Sequence, residues 1–463
     1  MLTHFRLLNI ALFAALLPRP ATAQTLVAPA TNALGKALSV AKEGEVIYLK
    51  NGRYRLGSSN LPLHVTKKNI TIIGESRDSV VITGSRYQGQ TLNSVTLDAE
   101  GASTMLVMAD DFYAENLTIE NTATQAQAQA LLCDGDRLTL NSCRLRGFQD
   151  TYYARQTGKR HYVLNGETSG DVDFIYGGAT LVHEACSIVS RSRKAGYIAA
   201  PNAGGRLVFL RCSLVAEEGL ADSSCYLGRP WGAGAAAFVE CKMGGHIKPE
   251  GWAEWNVTNP QFDEYLSTDL QGAALNVSQR SPLGHQLSAA EAEQYAAAAM
   301  FGEWNHREII DEPLLPAPSG MGVAGDSLRW TAVGSARGYL VYRNDSLLAY
   351  TAAPAFSIRE QPDVPHSLRT VNRYGRPGEM SQLITAAPSA HALSAKPSIY
   401  AVGRTLYAPQ NERVEVYSIL GTLMLTRLGE QQVGLDHLPA GIYMVRVVLD
   451  KNGSVASQKI MLK

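Results

Sequence analysis

A repeated strand pattern runs through the middle of this 463-residue chain and limits the folds open to it. Five stretches alternate apolar and polar residues and are each followed by a turn-prone region: residues 116–121, 137–142, 180–185, 206–211 and 236–240. Their starts differ by 21, 43, 26 and 30 residues, and 43 is about two of the shorter steps. Such recurrence indicates a solenoid, in which each coil buries its apolar face against its neighbours. One inward face in each strand predicts an all-β fold, a right-handed parallel β-helix.

Helices are predicted at both ends of this solenoid. Leu34, Ala37 and Leu38 have helical spacing, so residues 31–41 should form a short helix that caps the first coil. Residues 288–295 should form a second helix that packs back onto the solenoid.

The first 23 residues have the features of a secretory signal peptide. Two basic residues precede an apolar run, residues 7–17, that is too short to span a bilayer comfortably. Ala21-Thr22-Ala23 then provides a cleavage site of small residues. We therefore expect the mature chain outside the cytoplasm, either secreted or attached to the cell surface.

Two runs in the solenoid place a carboxylate beside aromatic and small residues: GFQDTYY, residues 147–153, and DFIYGGA, residues 173–179. Asp150 and Asp173 in different environments could divide the work of hydrolysis, because one carboxylate attacks while the other moves protons. Gln149 supplies an uncharged N–H donor beside them, as an oxyanion site requires.

These two runs and the later LGRPW, residues 227–231, resemble the signature motifs of the pectin methylesterases. The resemblance extends from about Val27 to Trp304. It implies a parallel β-helix and hydrolysis of the C6 methyl ester of galacturonate in homogalacturonan, which yields a free carboxylate and methanol. Pectin is therefore the expected partner.

The resemblance also implies roles for particular residues. Asp173 would be the nucleophile, held ionised by Arg229, because a planar guanidinium binds a carboxylate at two points and lowers its pKa. Asp150 would be the general acid and then the general base. The two glutamines at the oxyanion would be Gln127 and Gln149. Trp231 would stack on a sugar ring, and the further substrate contacts would be Thr104, Phe148 and Tyr176.

Two positions depart from the family pattern. Gly178 stands where the family commonly has Asn, and Asp171 where it commonly has Thr. Residues two apart on a strand share a face, so Asp171 could interact with Asp173 and raise its pKa. Alternatively, Asp171 points to solvent at a bend.

Four of the six cysteines occupy similar strand-like settings: Cys143, Cys186, Cys212 and Cys241. Most of the cysteines are predicted to be small buried residues rather than cross-links. Cys212 and Cys225 are the candidate pair for a disulfide.

Beyond the catalytic region, residues 24–312, two small β-sandwich domains are predicted. Residues 313–320 read as a Pro-rich linker. The alternating strands of residues 313–388 resemble a fibronectin type III domain. Residues 389–463, with VYSILG, LPAGIY and a basic–apolar C-terminal strand, resemble the sorting domain of the type IX secretion route. The resemblance implies the type IX machinery as a partner.

Rival functions remain open at this level. Another β-helix enzyme acting on pectin, a lyase or a polygalacturonase, is one alternative, and a non-catalytic surface carbohydrate-binding protein is another. A formal net charge of zero gives no support for a nucleic-acid partner. The proposed chemistry needs no cofactor, the cysteine spacing gives no sign of a zinc site, and a monomer is expected.

Overall fold

The computed structural model describes residues 24–255, 260–361, 364–385, 399–402, 404–408, 413–419, 421–448 and 455–462. The chain divides into two compact units, Met1–Thr385 and Ala386–Lys463, which are described separately. The predicted signal peptide lies outside the described residues. Among the helices of the described ranges, none is long and apolar enough to cross a membrane.

Three sheets of parallel strands form the solenoid. Sheet A contains Gln24–Val27, Val46–Leu49, Thr71–Gly74, Tyr113–Glu115, Leu138–Asn141, Arg160–Leu164, Thr180–Glu184, Arg206–Leu210, Ala235–Val239, Gln261–Tyr265 and Gly284–Gln286. Sheet B contains Gly52–Arg55, Val80–Gly84, Thr118–Asn121, Arg144–Arg146, Glu167–Gly170, Ser187–Ser190, Ser213–Ala216, Lys242–Met243 and Thr268–Asp269. Sheet C contains Leu63–Val65, Met105–Val107, Leu131–Cys133, Tyr152–Ala154, Val172–Gly177, Tyr197–Pro201 and Tyr226–Gly228. The predicted parallel solenoid is confirmed.

The irregular spacing of the repeats has a simple origin. Thr118–Asn121 belongs to sheet B, whereas the other four predicted strands belong to sheet A. The 43-residue step contains one further strand of sheet A, Arg160–Leu164. It therefore spans two coils, as predicted.

Each turn from sheet A into sheet B has one residue in the left-handed backbone conformation over most of the solenoid. These residues are Asn116, Ser142, Asn165, Ala185, Arg211, Glu240 and Leu266, with φ between 48° and 60°. In four coils the residue that follows is a cysteine of the hydrophobic core: Cys143, Cys186, Cys212 and Cys241. The common position in the coil explains why these four cysteines have similar sequence surroundings.

All six cysteines are buried and free, which confirms that they fill the core. The predicted disulfide between Cys212 and Cys225 is wrong. Cys212 lies at the turn between sheets A and B, whereas Cys225 forms a β-bridge with Ile247 at the start of a sheet C strand. The Sγ of Cys212 donates instead to the carbonyl of His183, 3.4 Å away.

One helix covers the first coil and a second group of helices packs back onto the solenoid, as predicted. Ala33–Val40 inserts Leu34 and Leu38 into the core beneath the first coil. At the other end, Ser288 and Glu291 form a capping box. The helices that follow, Ala289–Ala292, Glu293–Tyr295 (a 3-10 helix) and Ala297–Phe301, pack on the outer face of sheet A. The remaining short elements are the helices Ala99–Ala102 and Glu308–Asp311 and the strand pair Thr91–Leu92 and Val95–Thr96.

Residues 313–385, here called the middle module, form two antiparallel sheets around a core that includes Trp330, Tyr339 and Leu368. One sheet contains Gly322–Ala324, Ser327–Arg329 and Ala355–Ser357. The other contains Gly338–Arg343, Ser346–Thr351, His366–Val371 and Pro377–Met380.

The middle module packs against the first coils of the solenoid. Val46, Tyr48 and Ile73 from the outer face of sheet A share an apolar cluster with Leu340 and Tyr342 of the middle module.

Polar contacts reinforce this packing. The guanidinium of Arg376 donates to both carboxylate oxygens of Glu115, at 2.7 and 3.1 Å, and these side chains are only 10% and 16% exposed. The predicted linker is also held, because Asn372 donates to the carbonyl of Pro313 at 3.3 Å. It is not a free spacer between independent bodies.

The second unit has its own core, which includes Val414, Val445 and Leu462. Its strands are Tyr400–Val402, Thr405–Tyr407 and Gln432–Gly434 in one antiparallel sheet, and Leu423–Leu428, Arg413–Ser418, Gly441–Val448 and Val455–Leu462 in the other.

Candidate active site

Three of the predicted catalytic residues meet on the side of sheet C that faces away from the core. Asp173 lies within a strand of this sheet, whereas Asp150 precedes a strand and Arg229 follows one. The N–H of Asp150 donates to the carbonyl of Val172, 3.0 Å away, which holds Asp150 beside the strand of Asp173. The N–H of Arg229 donates to the carbonyl of Ala199, on the next strand, at 3.0 Å. Stacking of consecutive coils therefore brings these distant residues together.

The strand that carries Asp173 is irregular at this residue. Val172 pairs with Tyr197, but Ile175 pairs with Ala199, so one extra residue is accommodated between them. Asp173 has a φ of 49° and Asp150 a φ of 65°, both in the left-handed region that non-glycine residues rarely adopt. Such a bulge redirects a side chain, and strained backbone clusters at functional sites.

Arg229 binds both oxygens of the Asp173 carboxylate, as predicted. Its Nε donates to Oδ1 at 2.8 Å, and its Nη2 donates to Oδ2. The two side chains are 11% and 7% exposed. Burial raises the pKa of Asp173, and the hydrogen bonds and charge of Arg229 act in the opposite direction. The guanidinium therefore favours the ionised form that a nucleophile requires.

Among the residues that the structure describes, none forms an ion pair with Asp150, although the charge of Arg229 also acts to lower its pKa. Burial, followed by the neighbouring charge of Asp173, raises the pKa of Asp150 to about 8. The hydroxyl of Tyr176 donates to the Asp150 carboxylate and opposes this shift. Because Asp173 is paired and Asp150 is not, Asp150 takes up a proton first, as a general acid must.

Tyr176 is placed by a hydrogen bond that the sequence pattern did not predict. The Nε2 of Gln129 donates to the Tyr176 hydroxyl at 2.8 Å, and Gln129 is completely buried. Tyr176 also stacks on Tyr153, with ring centroids 4.1 Å apart. Tyr176 was predicted as a substrate contact, and the structure places its hydroxyl against the carboxyl group of Asp150. The available signal was that Gln129 lies only two residues from Gln127, since the sequence pattern does not distinguish which of the two glutamines belongs to the site.

The two glutamines predicted at the oxyanion lie on adjacent coils next to Asp150. The N–H of Ala128, which follows Gln127, donates to the carbonyl of Gln149 at 3.2 Å. Both glutamine side chains are half-buried. Each is therefore partly accessible to solvent.

Trp231 lies at the surface beside Arg229. Its side chain is 53% exposed, and its ring meets the ring of Trp255 edge to face at 5.9 Å. The guanidinium of Arg229 lies 4.9 Å from the Trp231 ring and 4.2 Å from the Trp255 ring. The structure thus adds Trp255, which sequence reasoning missed because a lone Trp outside a motif resembles any core residue.

The two remaining predicted contacts differ in accessibility. Phe148 is half-buried, with the guanidinium of Arg191 3.9 Å from its ring centroid. Thr104 is completely buried, and its hydroxyl donates to the carbonyl of Glu120 at 2.9 Å. Thr104 is therefore not brought to the open side of the site with the others.

The two departures from the family pattern have local explanations. Asp171 does not point to solvent, since its side chain is fully buried and accepts a hydrogen bond from the Nε of Arg193 at 2.6 Å. The bulge at Asp173 breaks the alternation that would have put both carboxylates on one face. A Cβ on Gly178 would lie 2.8 Å from the Thr157 hydroxyl, so this chain has no room there for a side chain unless Thr157 shifts.

No group of three or more His, Cys, Asp or Glu side chains that could hold a metal ion occurs among the residues for which the structure gives positions. The site is built instead from carboxylates, amides, one guanidinium and aromatic rings.

Comparison with known proteins identifies the family of the solenoid region. The family model described as Pectinesterase matches residues 23–303. A tomato (Solanum lycopersicum) protein, Pectinesterase 3, is 32% identical over 45% of this chain and 39% of its own length. Pectinesterase/pectinesterase inhibitor 18 of Arabidopsis thaliana is 30% identical over 56% of this chain and 48% of its own length. The chain thus spans less than half the length of these two relatives.

This chain covers almost the full length of two solved structures. The pectin methylesterase from Yersinia enterocolitica is 31% identical, with a TM-score of 0.51, over 58% of this chain and 98% of that one. The pectin methylesterase from Erwinia chrysanthemi is 26% identical, with a TM-score of 0.53, over 61% of this chain and 98% of that one. With its family model matched across more than half of its length, this chain belongs to the pectinesterase family.

Proposed function

We propose that this chain hydrolyses the C6 methyl esters of galacturonate units in homogalacturonan, with Asp173 as the nucleophile. The observation that carries the proposal is the contrast between two buried carboxyl groups. Asp173 is bound at both oxygens by Arg229, whereas burial raises the pKa of Asp150 to about 8. One group is thereby suited to attack and the other to donate a proton near neutral pH.

In the first half-reaction, a carboxylate oxygen of Asp173 attacks the ester carbonyl carbon. The side-chain N–H groups of Gln127 and Gln149 stabilise the oxyanion that forms. The carbon–methoxy bond then breaks, the leaving oxygen takes the proton of Asp150, and methanol departs. An acyl-enzyme on Asp173 and an ionised Asp150 remain.

In the second half-reaction, Asp150 takes a proton from water while the water oxygen attacks the acyl carbon. Collapse of the tetrahedral intermediate breaks the bond to Asp173 and releases the galacturonic acid, which ionises in solvent. Asp173 is again a carboxylate and Asp150 is again protonated, so the cycle closes with no cofactor.

The substrate class is supported by the pectin methylesterases among the solved relatives, one of which is in complex with a hexasaccharide. The exposed rings of Trp231 and Trp255 beside Arg229 support binding of a sugar face at the site.

The test uses the full chain and highly methylated pectin. Methanol, ultraviolet absorbance from unsaturated ends and new reducing ends are measured together for the parent, Asp173→Asn and Asp150→Asn. We expect methanol without the other two products, and loss of methanol in both variants with unchanged circular dichroism. Absorbance would indicate a lyase and reducing ends a glycosidase. A folded parent that binds pectin without releasing methanol would indicate a carbohydrate-binding protein.

We also propose that the chain is secreted or attached to the cell surface as a monomer. Export would use residues 1–23 as a signal peptide and residues 389–463 as a type IX sorting domain. The paired antiparallel sheets support a fibronectin type III-like domain at residues 313–388 and a β-sandwich in the second unit. We propose in addition that the solenoid is a right-handed β-helix. Fractionation of the producing cell, with and without the last 75 residues, tests the export route (463 − 388 = 75).

A further inference from the structure

We propose that Asp171 and Arg193 form a positioning clamp that holds the two glutamine-bearing turns in place for catalysis. The inference rests on the proposed function, since it assigns the oxyanion role to Gln127 and Gln149. It concerns a pair of residues that lies outside the motifs and that the mechanism above does not use.

The clamp begins with a buried carboxylate at the bend that immediately precedes the Asp173 strand, Val172–Gly177. The Asp171 side chain is 0% exposed. Its Oδ1 accepts the N–H of Val172 at 2.7 Å, and its Oδ2 accepts the Nε of Arg193 at 2.6 Å. A buried carboxylate is costly without such partners, so Asp171 fixes the position of the Arg193 guanidinium.

From this fixed position, the guanidinium reaches the other two turns of the site. Its Nη1 donates to the carbonyl of Thr124 at 2.9 Å, three residues before Gln127. Its central carbon lies 5.0 Å from the ring centroid of Phe148, the residue before Gln149. One side chain therefore connects three consecutive coils: the turn of Gln127, the turn of Gln149 and the strand of Asp173.

A second cation supports the middle turn. The Nη1 of Arg191 donates to the carbonyl of Gly147 at 3.0 Å, and its guanidinium lies 3.9 Å from the Phe148 ring. Arg191 faces the carboxylate of Glu217 at 3.4 Å, as Arg193 faces Asp171. Because both arginines already pair with carboxylates, we infer that they position the turns of the site rather than bind an anionic sugar.

A change in the position of an oxyanion donor affects the transition state more than the bound substrate. Arg193→Gln should therefore lower kcat about 10- to 100-fold and leave KM within about twofold. Arg193→Lys keeps the charge but cannot contact Asp171 and Thr124 together, so its kcat should be intermediate. Asp171→Asn should lower kcat as well, because it leaves Arg193 without its anchor.

The matched control is Arg144→Gln. Arg144, on sheet B, pairs with Asp78 at 2.8 Å and with Glu167 at 3.1 Å, whereas Asp150 and Asp173 lie on or beside strands of sheet C. Its loss should change the melting temperature as much as Arg193→Gln does and leave kcat within about twofold.

A second measurement separates failure of the clamp from failure of the proposed function. Backbone hydrogen exchange of peptides covering residues 122–128 and 147–151 needs no substrate. Arg193→Gln should accelerate exchange in both peptides, and Arg144→Gln in neither. If the parent releases no methanol, the proposed function fails while exchange still tests the clamp. Unchanged exchange in Arg193→Gln, or a kcat no lower than that of the control, overturns the clamp.

Discussion

Arg229 contacts both oxygens of Asp173 while its guanidinium lies 4.5 Å from the ring centroid of Tyr197. The same cation therefore orients the carboxylate through planar hydrogen bonds and is itself held by aromatic rings on neighbouring strands. A planar, delocalised guanidinium suits both contacts, and an ammonium group suits neither equally well.

Arg229→Lys should lower kcat about 100-fold or more, because a single point charge no longer aligns the Asp173 carboxylate. Arg229 lowers the pKa of Asp173, so its replacement raises that pKa. As the pH falls, activity that needs ionised Asp173 should therefore be lost at a higher pH in the variant than in the parent. The check is kcat against pH, with Arg280→Lys as control, since Arg280 pairs with the buried Glu264 instead. An acid limb that stays in place would contradict the assignment of Asp173.

Tyr176→Phe should move the alkaline limb of kcat/KM. Asp150 must be protonated to donate a proton to the leaving methoxy oxygen, so parental activity should fall as pH rises through about 8. The Tyr176 hydroxyl lowers the pKa of Asp150, so its removal raises that pKa and moves the limb to higher pH. Tyr153→Phe is the control, because Tyr153 stacks on Tyr176 without opposing the shift at Asp150. A shift towards lower pH would show that Asp150 does not set this limb.

Arg376→Gln should destabilise the first unit by about 3 kcal/mol, because it leaves the buried Glu115 carboxylate with the Tyr113 hydroxyl as a donor but without its cationic partner. The control is Arg373→Gln, which breaks an ion pair with Glu312 in which the arginine is 51% exposed and which should be worth at most about 1 kcal/mol. Thermal unfolding of the full chain measures both. Equal effects would mean that the packed contact between the middle module and the solenoid does not persist in solution.

The cysteines should behave as six thiols. Burial raises the pKa of Cys143 to about 12, and all six are enclosed in the folded chain. A thiol reagent should therefore react with none before unfolding and with six afterwards, and a reductant should leave the melting temperature unchanged. Four reactive thiols after unfolding would indicate one disulfide.

Much of the solenoid was predictable, because each coil repeats the same physical requirement. The inward alternation and the helix of residues 31–41 follow from short sequence signals, and the pairing of Arg229 with Asp173 follows from the resemblance to the pectin methylesterases. Burial of the cysteines was also predictable from their common setting, although the choice of a bonded pair was not.

The sequence-based predictions failed where a strand is irregular and where residues far apart in the chain pack together. Alternation places Asp171 and Asp173 on one face only if the strand is regular, and the bulge between Val172 and Ile175 removes that condition. The packing of the middle module against the solenoid was not predicted. A Pro-rich segment indicates only local stiffness, and it carries no information on the apolar surface that Val46 and Tyr48 present to the middle module. Gln129 was missed because its partner, Tyr176, lies 47 residues away.

The proposed catalytic groups Gln127, Gln149, Asp150 and Asp173 lie on or just before three neighbouring strands of sheet C, Arg229 follows the last strand of that sheet, and the first coils of the solenoid contribute none of these groups. Since a coil touches only the coils beside it, evolution can add, remove or reshape terminal coils without moving the reacting atoms. The length of polysaccharide that such an enzyme grips can therefore diverge between lineages faster than its chemistry.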